Sequence, residues 1–281
     1  MRIAVVGATG VLGRHVVPRL QERGHDVRAI VQDEGRAAGL RRLGVDAVIG
    51  DILDAESLRR ALHGCEAVLH LATRIPKNDG ARDWSENDRI RRDGTRHLLE
   101  AAAANRVGRY VQQSIVMLYG DRGAAIVDES VRLEPQPFIQ SALEMEQQVH
   151  ACALHWSILR GGYFYGPGTG MEDGWRKAAR DGTLQIPGDG TARISLIHVA
   201  DMARAVLLAT ESAAAGSIYN VVDDQPVTYA ELYRWVAAQT GAPDPPLGSQ
   251  TLRPSLACSN ARIKRELGWS PAYPTFRAGL A

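Results

Sequence analysis

Seven residues near the start of the chain, Gly7-Ala8-Thr9-Gly10-Val11-Leu12-Gly13, constrain its fold more than any other feature. They follow the apolar run Ile3–Val6 directly and lead into Val11–Arg23, where apolar residues recur at helical spacing. Glycine permits a tight turn, a close approach of backbone to a pyrophosphate, and close packing of helix on strand. The free N–H groups and the positive dipole end of the helix then face an anion. Three glycines alone are a weak signal, and the strand before them and the helix after them supply the context a dinucleotide needs. Gly7, Thr9, Gly10, Val11, Leu12, Gly13 and Arg14 are therefore expected around the phosphates of NAD or NADP.

The pattern continues as strands at Val27–Val31, Ala47–Ile49, Ala67–Leu71, Tyr110–Gln113 and Trp156–Leu159. Helical stretches lie near Glu56–His63, Asn87–Ala104 and Ser141–Cys152. Strands alternating with helices read as right-handed βαβ units on a parallel sheet. After Arg160 the rhythm breaks at Gly161-Gly162, Gly166-Pro167-Gly168 and Pro187-Gly188-Asp189-Gly190, and helices resume at Val199–Thr210, Tyr229–Gln239 and Ala261–Leu267. The expected class is α/β, a Rossmann-type doubly wound parallel sheet with a smaller C-terminal substrate lobe. Residues 1–160 form the dinucleotide-binding part and 161–281 an interleaved lobe.

Two further segments extend the cofactor reading. Gly50-Asp51-Ile52 follows the third strand, where the Asp51 carboxylate can accept from an adenine amino group. Leu71, Ala72 and Thr73 end the fourth, where small residues let a ribose approach the backbone. The second strand ends Ile30-Val31-Gln32-Asp33, with neither the acid that selects ribose hydroxyls nor an Arg for a 2′-phosphate in the obvious place. Arg14 and Arg36 near Gln32 tip the expectation slightly to NADP, against the opposing charges of Asp33 and Glu34.

Composition excludes several other classes. A net charge of +1, with separate Arg-Arg pairs in place of a basic tract, gives no field for nucleic acid or an anionic membrane. No stretch reaches the roughly 20 apolar residues of a membrane span. Cys65, Cys152 and Cys258 are widely spaced, with no metal-ligand pattern. The opening strand follows no charged leader, and a cytoplasmic protein with a small-molecule substrate is expected.

The chain also carries Asp93-Gly94-Thr95 before an Ala-rich helix, Tyr119-Gly120, and Arg160 followed by Tyr165-Gly166-Pro167-Gly168. His198-Val199-Ala200-Asp201, Tyr219-Asn220-Val221 and Leu267-Gly268-Trp269-Ser270-Pro271 complete the series. In this order the motifs resemble the NAD-dependent epimerase/dehydratase branch of the extended short-chain dehydrogenase/reductases. The resemblance implies a Ser/Thr–Tyr–Lys set with a supporting Asn, the Tyr acting as acid/base and the Lys holding the nicotinamide ribose. Laid on the pattern Y-x-x-x-K-x-x-x-E, Glu146 matches the final acid, while the Tyr falls on Phe138 and the Lys on Ala142. The Ser/Thr falls on Ile115, beside Ser114, and the Asn on Arg91. The only lysines are Lys77, Lys177 and Lys264, so no shift of alignment within the Ser141–Cys152 stretch restores a Tyr-x-x-x-Lys. The usual catalytic set is expected to be lost.

Other acid/base groups are then needed if the chain is an enzyme. Tyr163 and Tyr119 carry phenols, with an aromatic pocket wall as the plainer reading, and His70 titrates near neutrality unless it is a satisfied core residue. Ser114, Ile115, Phe138, Ala142, Tyr165 and Arg193 are expected to line the substrate pocket, with Arg193 and Arg91 as anion contacts or surface ion pairs. Reduction, isomerisation, elimination and cyclisation all remain open, as does a non-catalytic NAD(P)-binding sensor. The resemblance further implies a homodimer through the helices near 96–104 and 141–152.

Overall fold

The computed structural model describes residues 1–76, 83–248 and 254–280; Lys77 lies outside them. Seven strands make the main sheet: β1 Arg2–Val6, β2 Asp26–Val31, β3 Asp46–Ile49, β4 Ala67–His70, β5 Arg109–Ile115, β6 Trp156–Gly161 and β7 Ser217–Val221. Their order is β7-β6-β5-β4-β1-β2-β3, and the pairs β1–β2, β2–β3, β1–β4 and β4–β5 are parallel. Ile3 to Val6 are buried on both faces of the sheet, as expected for a parallel sheet covered by helices.

The chain winds outward from β1 to β3, then returns to lay β4 on the other side of β1. Val6 pairs with His70 at that reversal. In an open α/β sheet the ligand crevice lies beyond the carboxyl ends of the strands at such a point. The glycine turn emerges there from β1, and Leu71 to Thr73 emerge there from β4. Helix Val11–Glu22 lays Leu12, Gly13, Val16, Val17 and Leu20 along one buried face.

Two compact units result. The first comprises Met1–Ser114, Gln136–Arg160 and Ala203–Ile218; the second comprises Ile115–Pro135, Gly161–Met202 and Tyr219–Ala281. Residues 115–135 belong to the second unit and 203–218 to the first. The edge strand β7 was not anticipated, since five residues of mixed polarity become a strand only when a sheet edge offers its hydrogen bonds. Helix Glu34–Arg41 was also missed: Gly35 and Gly39 weaken it, and Asp33 caps it by accepting from the Arg36 N–H. The second unit has its own core around Tyr165, Leu196, Tyr229, Leu232 and Phe276. Its helix Tyr229–Thr240 opens with a Thr228/Glu231 capping box.

Candidate functional site: a dinucleotide cradle and a buried ionic cluster

The cradle is enforced by backbone geometry. Gly7 has φ +95°, and a Cβ on it would lie 2.7 Å from the Ala72 nitrogen. A Cβ on Gly13 would stand 2.2 Å from the Gly7 carbonyl oxygen, closer than any real contact. The Gly10 N–H donates to that same oxygen at 3.0 Å and closes the turn. Gly10 is the N-cap of helix Val11–Glu22 and brings no side chain to satisfy the helix's first donors. These N–H groups are the free donors a pyrophosphate needs. Gly10 and Val11 are exposed and Thr9 is half-buried, while Leu12 packs into the core. The residues present fit a dinucleotide.

Around the turn, Arg14 is exposed, its Nε donating to the Thr9 carbonyl at 2.9 Å. Asp51 accepts from the Leu53 N–H at 2.9 Å through one oxygen and faces Gln32 Nε2 at 3.4 Å with the other. Arg36 is held by Asp33 at 3.0 Å and reaches Gln32 Oε1 at 3.3 Å. Ile52 and Leu71 are buried, Ala72 half-buried and Thr73 exposed.

The first unit also assembles the residues to which the resemblance carries the catalytic set. Phe138 is 42% exposed and stacks at a tilt on Trp84, ring centroids 5.7 Å apart. Ala142 is fully buried in helix Gln140–Ala151, so it contributes packing and not pocket surface, contrary to expectation. Ser114 is likewise no open substrate ligand: its buried hydroxyl donates to Glu146 Oε1 at 2.6 Å. Glu146 in turn receives Arg160 through Nε at 3.0 Å and Nη2 at 2.6 Å, with both side chains almost wholly enclosed. The sequence showed Glu146 and Arg160 only as separate motif residues. Their pairing across helix and strand needed the fold.

His70 ends β4 with 1% of its surface exposed. Gln112 donates its amide to the Gln113 carbonyl, which turns Oε1 toward the ring, 2.9 Å from His70 Nδ1. Nδ1 therefore carries the hydrogen, and Nε2 has no partner among the described residues. Burial, aided by the charge of Arg91, pushes the imidazole down to about 4. A ring that is neutral at pH 7, with its proton committed to Gln112, is no general acid. The expected role of His70 is corrected to that of a core histidine.

The second unit holds the other candidates. Tyr119 is fully buried and its hydroxyl donates to Asn220 Oδ1 at 2.8 Å, a strut in place of an acid facing substrate. Tyr165 is also enclosed, its hydroxyl on the Thr275 carbonyl at 3.3 Å, and burial raises its phenol far above the usual range. It belongs to the core and not to a pocket wall. Tyr163 is half-buried on the strand pair Tyr163–Tyr165 with Leu196–His198. Ile115 is half-buried, and Arg193 is half-buried opposite Thr228. Among the described residues no three His, Cys, Asp or Glu side chains gather as a metal site, and no helix is long and apolar enough to cross a membrane.

The sheet order, its reversal beside β1 and the bare glycine-rich helix start define a Rossmann-type dinucleotide-binding protein. Residues 3–222 match the model of the NAD dependent epimerase/dehydratase family, and the chain belongs to that family of extended short-chain dehydrogenase/reductases. It is 35% identical to a 3-diazoavenalumate denitrifying reductase of a Streptomyces species, over all of this chain and 99% of that one. It is 28% identical to a 2-alkyl-3-oxoalkanoate reductase of Stenotrophomonas maltophilia, over 86% of this chain and 77% of that one. Among solved structures it resembles a dTDP-glucose 4,6-dehydratase from Streptomyces venezuelae with NAD bound. There the TM-score is 0.87 and the identity 27%, with coverage of 100% of this chain and 95% of that one.

Proposed function

We propose that this protein is an NAD(P)H-dependent reductase that passes hydride to a small, strongly electrophilic acceptor without a Tyr–Lys acid. The observation carrying this reading is an open dinucleotide cradle in the same unit as a phenylalanine at position 138 and a buried alanine at 142. Bound NAD(P)H would supply the hydride. Reducing a ketone also demands a proton for the developing alkoxide, which Phe138 lacks the hydroxyl to give. An aryl diazonium acceptor is already cationic: hydride adds to the terminal nitrogen, and the resulting aryl diazene loses N₂ as a hydrogen, exchangeable with water, passes to the ring carbon. Two electrons enter, no general acid is consumed, and the products are the arene and N₂. The end-to-end similarity to a reductase named for a diazo substrate supports this acceptor class.

Arg14 and Arg36 support NADP over NAD as the partner of choice. For acceptors that do need a proton, Tyr163 is the donor we propose, since its phenol is less enclosed than those of Tyr119 and Tyr165. The family resemblance extends the reading to a homodimer through helices Thr95–Ala104 and Gln140–Ala151, which sedimentation velocity checks.

The test mixes purified protein with a hydroxyaryl diazonium salt and NADPH or NADH deuterated at the transferring position. Cofactor oxidation slowed by the deuterium, with N₂ and the arene formed in equal amounts and none of this in Gly10→Asp, is the expected result. Tight cofactor binding with no cofactor oxidation by diazonium or 3-oxoacyl acceptors would leave a cofactor-binding sensor as the better description.

A further inference from the structure

Two arginines are buried in the first unit, and only one is complete. Arg160, 3% exposed, has a carboxylate with three hydrogen bonds of 3.2 Å or less. Arg91 is 5% exposed and lies in the π-helical turn Ile90–Gly94, an irregularity that recurs at functional sites. Its one hydrogen bond among the described residues runs from Nη1 to Ser141 Oγ at 3.3 Å, and no described carboxylate is within ion-pairing distance. Burial pulls its guanidinium down to about 10, with Asp88 opposing only through space. A cation with five N–H donors and one long bond is costly to enclose. Such a cost persists where a ligand completes the set.

Its position suggests that ligand. Ser141 is the residue before Ala142, so the guanidinium reaches the helix at the point where the family pattern puts its lysine. The same charge lowers the basicity of His70, at the carboxyl end of β4. The next residues, Leu71 and Ala72, lie against Gly7 of the cradle. Arg91 thus lies between helix Gln140–Ala151 and the strand end that borders the cradle, all within one unit.

We propose that Arg91 supplies, from the neighbouring helix, the cation absent at residue 142, and that its guanidinium binds the hydroxyls of the nicotinamide ribose. This rests on the reading that NAD(P) binds at the Gly7–Gly13 turn. A planar fork of donors meets the two adjacent oxygens of a ribose diol, where a lysine would offer a point charge.

ADP reaches only the cradle half of the site, whereas NADP⁺ also carries the nicotinamide riboside. Calorimetry with both ligands on Arg91→Met therefore isolates the proposed contact. NADP⁺ affinity is expected to fall by about tenfold or more, with ADP affinity within twofold of the parent. The melting temperature without ligand should stay level or rise, because an incompletely paired buried charge has been removed. Unchanged NADP⁺ affinity overturns the proposal. So does an equal loss of ADP affinity or a lowered melting temperature, either of which makes Arg91 a support of the fold. A parent protein that binds neither ligand sinks the cofactor reading itself.

Discussion

The glycine turn at 7–13 and the helix start at 138–142 belong to the same compact unit but depend on different parts of the chain. At the turn the function lies in the backbone: N–H groups face outward because no side chain occupies the space at Gly7, Gly10 and Gly13. Substitution at Gly7 or Gly13 collides with main-chain atoms, which cannot rotate away. At the helix start the function of the family lies in side chains, and a phenylalanine and an alanine fit the fold. Ala142 packs with no exposed surface, and Phe138 rests on Trp84. A backbone site is therefore locked to the fold, while a side-chain site can change its chemistry and leave the fold alone.

The sharpest attack on this contrast is Gly13→Val. Its Cβ would be forced to within 2.2 Å of the Gly7 carbonyl, and we expect a loss of more than about 3 kcal/mol with no measurable cofactor binding. Denaturant unfolding and calorimetry check it, and a stable variant that still binds NADP⁺ removes the basis for the comparison. Next in size is Phe138→Tyr combined with Ala142→Lys. Placing a long cation where a fully buried methyl packs should cost about 1–3 kcal/mol, with the fold and cofactor binding kept and weak ketone reductase activity gained. Collapse of the double variant would show that position 142 is as tightly bound to the fold as the glycines are.

The last effect, absent at neutral pH, belongs to His70, between the two regions. Its folded value of about 4 lies below the usual 6.5, so from pH 6.5 downward the unfolded chain takes up a proton that the folded one refuses. Stability from the neutral ring is complete above pH 6.5 and is lost as pH falls toward 4, by on the order of 3 kcal/mol. His70→Gln should flatten melting temperature against pH in that window. Parallel curves for parent and variant would remove His70 from the acid response.

Much of this was legible in the chain itself. The alternation of apolar strands with amphipathic helices identified six of the seven sheet strands, because burial on both faces demands continuous apolar runs. The glycine spacing marked the turn at 7–13, since only glycine tolerates the backbone approaches at Gly7 and Gly13. The absence of lysine near residues 138–152 was visible from composition alone. What a hydroxyl or ring nitrogen does was not legible. Tyr119, Tyr165 and His70 looked available by position, but the two hydroxyls and the ring Nδ1 are committed to Asn220, Thr275 and Gln112. Those partners lie 101, 110 and 42 residues away in sequence. The sequence by itself determined where backbone must be free of side chains and where apolar surface must be covered, because both are local demands on residue type. Only the tertiary structure decided which polar groups are paired, because a hydrogen bond depends on a partner that the fold brings from elsewhere. It alone separated the paired cation of Arg160 from the unfinished one of Arg91.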